Sequence, residues 1–261
     1  MTPLTLHLRR YGRPGPVPLL LLHGLFGSSA NWHRIAQHLA GQHHVLVPDL
    51  RNHGESPQDS DMTYPAMVED LVALLAREGL QRVLMVGHSM GGKTAMWMTL
   101  SHPELVEAVA IVDIAPTVYP SGYEKIIDDL LALPMETIAN RGDAEQRLAA
   151  AIPNSAVRGY ILQNLRYGKQ DWYWRANLPA IAASLPLLRA FPDPAGRQFT
   201  GPTLFLYGTK SDYIGAESLP SIRRLFPLAR LRAIPNAGHW VYADQPDRFL
   251  AALRGFIDPF R

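Results

Sequence analysis

The chain has 261 residues, 47% of them hydrophobic, with 25 Lys and Arg against 23 Asp and Glu and no cysteine. That length supports one core burying about 70–75% of the unfolded surface, and the missing cysteine excludes disulfides, thiolate metal sites and a cysteine nucleophile. A net charge of +2, spread rather than blocked, argues against a nucleic-acid partner and stays compatible with small anionic substrates.

Met1 to Arg10 has no apolar core of signal-peptide length, and no later apolar stretch approaches a membrane span. A cytoplasmic, soluble protein is the expectation. The first apolar run, Leu19–Leu22, is short enough for a buried strand and leads into His23-Gly24. Val45–Pro48 is a second such run, ending at Asp49. Met67, Leu71, Leu74 and Leu75 then share one stripe at helical spacing. Val83–Val86 and Val109–Val112 are further strand-like runs, ending at Gly87 and Asp113.

Residues 117–197 break this rhythm, and no strand is expected there. Helical patterns (Ile126 to Leu131, Leu148 to Ile152, Val157 to Leu165) alternate with proline and glycine around the cluster Trp172-Tyr173-Trp174. Strand-like runs return at Thr203–Tyr207 and Arg230–Ile234, before Gly208 and Asn236-Ala237-Gly238-His239. A stripe of Phe249, Leu250, Leu253, Phe256 and Ile257 closes the chain. The alternation predicts an α/β fold with a mostly parallel sheet, its core formed by residues 1–116 and 198–261 and an all-helical cap by 117–197.

Two incompatible motifs overlap at the third run. Gly87-His88-Ser89-Met90-Gly91 fits G-x-S-x-G, a nucleophile elbow. Gly87 through Thr94 also fits the phosphate loop G-x-x-x-x-G-K-[ST], with a metal-binding look-alike in the run ending at Asp113. A phosphate loop draws on backbone N–H groups at a helix start and needs no distant histidine. An elbow serine does need a base, and also N–H donors aimed at the developing oxyanion. His239 supplies the base, and the amides of Leu25 and Met90 are placed to supply the donors. The elbow is therefore the favoured reading.

Together His23-Gly24, Asp49-Leu50-Arg51-Asn52-His53-Gly54-Glu55-Ser56, Gly87 through Lys93, Gly238-His239 and Trp172 through Leu178 resemble the α/β-hydrolase superfamily. More narrowly they are similar to small esterases of the YbfF type and their abhydrolase relatives. The resemblance implies an α/β-hydrolase fold and a cofactor-free, metal-free serine hydrolase of small acyl esters or thioesters. A carbon–carbon bond hydrolase of the same fold, or a ligand-binding receptor retaining the triad, are the alternatives.

The acid is open between two aspartates. The superfamily often carries it in a Gly-x-x-Asp turn after the fifth run, where this chain has Ser211 and places Asp212 one position late. Asp113 ends the preceding run, the position that YbfF-type relatives also resemble, and it is favoured. The expected substrate contacts are Phe26, Trp172, Trp174 and Arg175, the arginine as a holder of a carboxylate or phosphate. Asp49 and Arg51 read as a buried ion pair, His53 and His88 as hydrogen-bonded structural histidines, His43 and His44 as solvated, and Lys93 as solvated or salt-bridged.

Overall fold

The computed structural model describes residues 2–260, so Met1 of the leader reading and Arg261 lie outside it. Seven strands form one sheet: β1 (Leu8–Tyr11), β2 (Leu19–Leu22), β3 (Val45–Pro48), β4 (Val83–His88), β5 (Val106–Val112), β8 (Thr203–Gly208) and β9 (Arg230–Ile234). Their order is β1-β3-β2-β4-β5-β8-β9, and every pairing is parallel except the antiparallel edge strand β1. That edge strand, Leu-Arg-Arg-Tyr, has no apolar run to reveal it.

A parallel sheet covered on both faces needs apolar residues at successive positions, because alternate side chains leave on opposite sides. β2 shows the rule. Leu20 and Leu22 join the cluster that includes α2 (Tyr64–Arg77), α3 (Met90–Ser101) and α8 (Leu219–Leu225), while Leu19 and Leu21 join α1 (His33–Leu39) and the C-terminal helix Pro246–Ile257. All four leucines are fully buried, which at about 1.5–3 kcal/mol each makes this short strand a large apolar contribution. Thr63 caps α2 by accepting the Ala66 amide, and Pro65 sits in the first turn, where a missing N–H costs nothing.

Between β5 and β8 lie α4 (Glu124–Leu131), α5 (Arg141–Arg147), α6 (Ser155–Leu162), β6 (Leu165–Tyr167), β7 (Trp172–Trp174) and α7 (Leu178–Arg189). The expectation of an all-helical segment needs correction. β6 and β7 pair antiparallel as a hairpin, with Leu165 opposite Trp174 and Tyr167 opposite Trp172. Leu165, read as the end of a helix, begins a strand, and α5 stops at Arg147, ahead of the Leu148 to Ile152 pattern. The β-forming aromatics of the hairpin explain the outcome. The inserted helices contribute Ile127, Leu130, Ile161, Leu162, Ile181 and Leu185 to the same cluster as α2 and α3. No helix among the described residues is long and apolar enough to cross a membrane.

Candidate active site

Ser89 stands between the end of β4 and the start of α3 with φ 52° and ψ −118°, a left-handed-side conformation that a non-glycine residue rarely adopts. Its neighbours show why the motif requires glycines. A Cβ at Gly87 would meet the Gly91 carbonyl oxygen at 2.2 Å, and one at Gly91 would meet the oxygens of Leu22 and His23 at 2.6 and 2.5 Å. The turn is tight because α3 packs straight back onto β2.

The phosphate-loop residues are otherwise engaged. Thr94 Oγ1 donates to the Met90 carbonyl at 2.9 Å. Lys93 is buried, which corrects its reading as solvated or salt-bridged, and its Nζ donates to the carbonyls of Thr117, Arg189 and Ala190 at 2.9, 2.7 and 2.8 Å. The ammonium also lies 4.7 Å from the centre of the Tyr119 ring. Desolvation pushes the Lys93 pKa down to about 7, while the three carbonyls hold the charged form.

Asp113 leaves the end of β5 with φ 53° and is fully buried. Its Oδ2 accepts from His239 Nδ1 at 2.8 Å and from the Ser211 hydroxyl, and its Oδ1 accepts from the Gly208 amide at 3.1 Å. A carboxylate only accepts, so His239 carries its proton on Nδ1 and leaves the Nε2 lone pair free. The Tyr213 ring stacks on His239 at 4.0 Å. The competing Asp212 is exposed and touches neither imidazole nitrogen; Ser211, in the turn after β8, instead hydrogen-bonds Asp113 from the neighbouring strand. Ser211 was missed because a serine at an acid position reads as a gap.

His88, beside the serine, donates from Nε2 to the His239 carbonyl at 2.9 Å. Burial, then the neighbouring His239, hold its pKa well below the ordinary value, so it stays neutral. His23 Nδ1 donates to the Gly24 carbonyl and its Nε2 accepts the Leu50 amide. His53 Nδ1 donates to the Arg51 carbonyl and its Nε2 accepts the Phe26 amide at 3.1 Å. Burial lowers the pKa of both, that of His53 to about 3.

Asp49 and Arg51 are both buried but do not pair, contrary to the sequence reading. Arg51 forks onto Asp70 at 2.7 and 2.9 Å, while Asp49 accepts the Ser29 and Glu55 amides and the His7 ring. His43 is buried and faces Asp258 at 3.4 Å, so it too departs from its expected solvated state. No group of three or more metal-ligating side chains occurs among the described residues.

Ser89, His239, Leu25, Phe26 and Met90 line one cavity of about 330 Å³. Neither the Leu25 nor the Met90 amide donates to an acceptor among the described residues. Much of the remaining wall is apolar or aromatic, including Ile114, Val157, Ile161, Leu185 and Trp240. Three of the four expected substrate contacts lie elsewhere. Trp172, Trp174 and Arg175 do not line the cavity. Trp174 Nε1 donates to the Leu130 carbonyl, and Arg175 pairs with Glu55 at 2.6 Å. The alternation of the two tryptophans reflects packing of the hairpin rather than a substrate wall.

The family described as alpha/beta hydrolase fold matches residues 17–246. The chain belongs to the α/β hydrolases. This α/β hydrolase is 41% identical over 253 residues to the sn-1-specific diacylglycerol lipase ABHD11 of Xenopus tropicalis, covering 94% of this chain and 79% of that one. It is 33% identical over 242 residues to esterase YbfF of Escherichia coli (strain K12), covering 92% and 93%. Among solved structures, a marine microorganism esterase superposes with a TM-score of 0.93 at 37% identity, covering 97% and 99%. The resemblance drawn from His23-Gly24, the Asp49–Ser56 segment, Gly87 through Lys93, Trp172 through Leu178 and Gly238-His239 is thereby shown, YbfF-type relatives included.

Proposed function

We propose that this α/β hydrolase cleaves carboxylic esters, and thioesters of the same acyl groups, through an acyl-enzyme on Ser89. The carboxylic ester hydrolase class rests on the family and its esterase and lipase relatives. The observation that carries the mechanism is the Asp113–His239 hydrogen bond at 2.8 Å beside the strained Ser89, on the wall of one cavity.

Asp113 fixes the tautomer in which His239 Nε2 can accept the Ser89 proton. Ser89 Oγ attacks the acyl carbonyl, and the unpartnered Leu25 and Met90 amides receive the developing oxyanion. His239 passes its proton to the departing alcohol or thiol. Water, deprotonated by the same imidazole, then attacks the acyl-enzyme, and the imidazolium returns that proton to Ser89 Oγ as the acid leaves. No step requires a cofactor or metal.

Wall chemistry supports an uncharged acyl arm. Of the charged side chains at the cavity, Lys93 is committed to backbone carbonyls, Arg189 faces Glu124 at 3.4 Å, and Asp212 is exposed. Arg175, already paired, is not proposed as an anion holder.

A fluorophosphonate probe tests the reading. Intact mass should show one adduct on wild type and none on Ser89→Ala. The Ser89→Ala and His239→Ala variants should each lose on the order of 10⁶ in kcat on a p-nitrophenyl ester, because triad members act as a unit. An unlabelled wild type without ester turnover would overturn it.

A further inference from the structure

The loop supplying the Leu25 amide is gripped from outside the core. Phe26 has φ 60°, an unfavourable setting for a bulky aromatic residue. Its amide donates to His53 Nε2 at 3.1 Å, and its carbonyl accepts from Asn164 Nδ2 at 2.7 Å. Asn164 is buried and belongs to the insertion, between α6 and β6. The adjacent Gln163 accepts from Asn31 Nδ2 at 3.0 Å, and the Asn31 carboxamide oxygen in turn accepts the Ser28 amide at 2.7 Å. One turn earlier in α6, Tyr160 lies over Gly27, where a Cβ would meet its hydroxyl at 2.6 Å. The last turn of α6 and the residues after it therefore touch this loop at Phe26, Gly27 and Asn31.

The partner of Asn164 in this grip is held to the same insertion. Asn177 donates its amide to the Asn52 carbonyl and its side chain to the Asn52 carboxamide, one residue before His53. His53 thus holds the Leu25–Phe26 peptide by its N–H and Asn164 holds the next one, Phe26–Gly27, by its carbonyl, which together restrain from the C-terminal side the Gly24–Leu25 peptide that carries the Leu25 N–H. From this we infer that Asn164 is a positioning residue: together with His53 it clamps Phe26 and so makes the aim of the Leu25 oxyanion donor depend on the docked insertion. The inference rests on the proposed hydrolase mechanism. Asn164 touches no reacting atom, and its effect runs through the Phe26–Gly27 peptide and the backbone of Phe26.

The test compares two ligands on the full chain. A trifluoromethyl ketone with an alkyl chain is attacked by Ser89 and places an oxyanion between the Leu25 and Met90 amides. The corresponding trifluoromethyl alcohol fills similar space and forms none. For Asn164→Leu, the ketone inhibition constant should rise about tenfold or more and kcat should fall by a similar factor, somewhat less than loss of a whole donor. KM and the alcohol inhibition constant should hold within about twofold, as uniform binding is untouched.

Asn164→Asp, which keeps the shape but turns an acceptor toward the Phe26 carbonyl, should show the same selective loss, and it carries the test if the leucine variant does not fold. Equal weakening of ketone and alcohol, or an unchanged kcat, in a folded variant would overturn the clamp alone. A wild type that binds ketone no tighter than alcohol would overturn the hydrolase reading and the clamp with it.

Discussion

Asp113 is held by three donors: the His239 ring, the Ser211 hydroxyl and the Gly208 amide. Replacing it with asparagine puts an N–H₂ group or a weaker acceptor against His239 and allows the wrong tautomer. Asp113→Asn should therefore lower kcat about 10⁴-fold, while Asp212→Asn, a change at an exposed position, should leave kcat within about twofold. Kinetics on the two variants separate the assignments, and a large loss at Asp212 alone would reverse them. At this scale much was legible. The positions of Ser89, His239, Leu25 and Met90 around one cavity follow from motif chemistry, because each occupies a turn fixed by the end of a strand. Asp113 was favoured over Asp212 from its place at a strand end, and it is Asp113 that lies against His239 Nδ1. His53 was legible as a hydrogen-bonded structural histidine but its partner Phe26 was not, and Ser211 and Asn164 carried no signal, because each acts through a partner distant in the chain.

Among the elements, α3 does more than present the serine. One turn into it, Lys93 meets the carbonyl at the entry to the insertion and those at its exit. Lys93→Met would leave three inward-facing carbonyls without their donor, each costing about 1–3 kcal/mol when unsatisfied. Water entering the cavity offsets part of this. A loss of roughly 2–4 kcal/mol in urea unfolding is expected, with the insertion the first region to gain hydrogen exchange; an unchanged stability would deny Lys93 an anchoring role. The sheet was readable because buried parallel strands are short apolar runs. The edge strand β1 and the hairpin of β6 and β7 were not, because their polar and exposed positions carry no run. The aromatic triplet showed strand alternation, yet three residues of it are too few to outweigh surrounding helical patterns.

For the molecule as a whole, three buried imidazoles set the response to acid. His23, His53 and His88 all have folded pKa values below their ordinary 6.5, chiefly through burial. Below that value the unfolded chain binds more protons than the folded one, so stability rises with pH and falls as pH drops. The window opens near pH 6.5 and, for His53, extends down to about 3. The slope should be on the order of 1–4 kcal/mol per pH unit, from one to three protons. Urea titrations at pH 7, 6 and 5 measure it, and a stability flat across that range would mean that these rings stay solvated.

The ammonium of Lys93 touches the carbonyls of both Thr117 and Ala190, at 2.9 and 2.8 Å. The stretch just past the end of β5 and the end of α7 are thus brought together at one ammonium. Everything between them is a detour that begins and ends at one spot on α3. A longer, shorter or differently folded segment can be carried between the same two points without moving β5 or β8. The part of the cavity wall that this segment supplies, Val157, Ile161 and Leu185 among it, can therefore be exchanged as one stretch of chain, while Ser89, His239 and Asp113 stay where the sheet puts them.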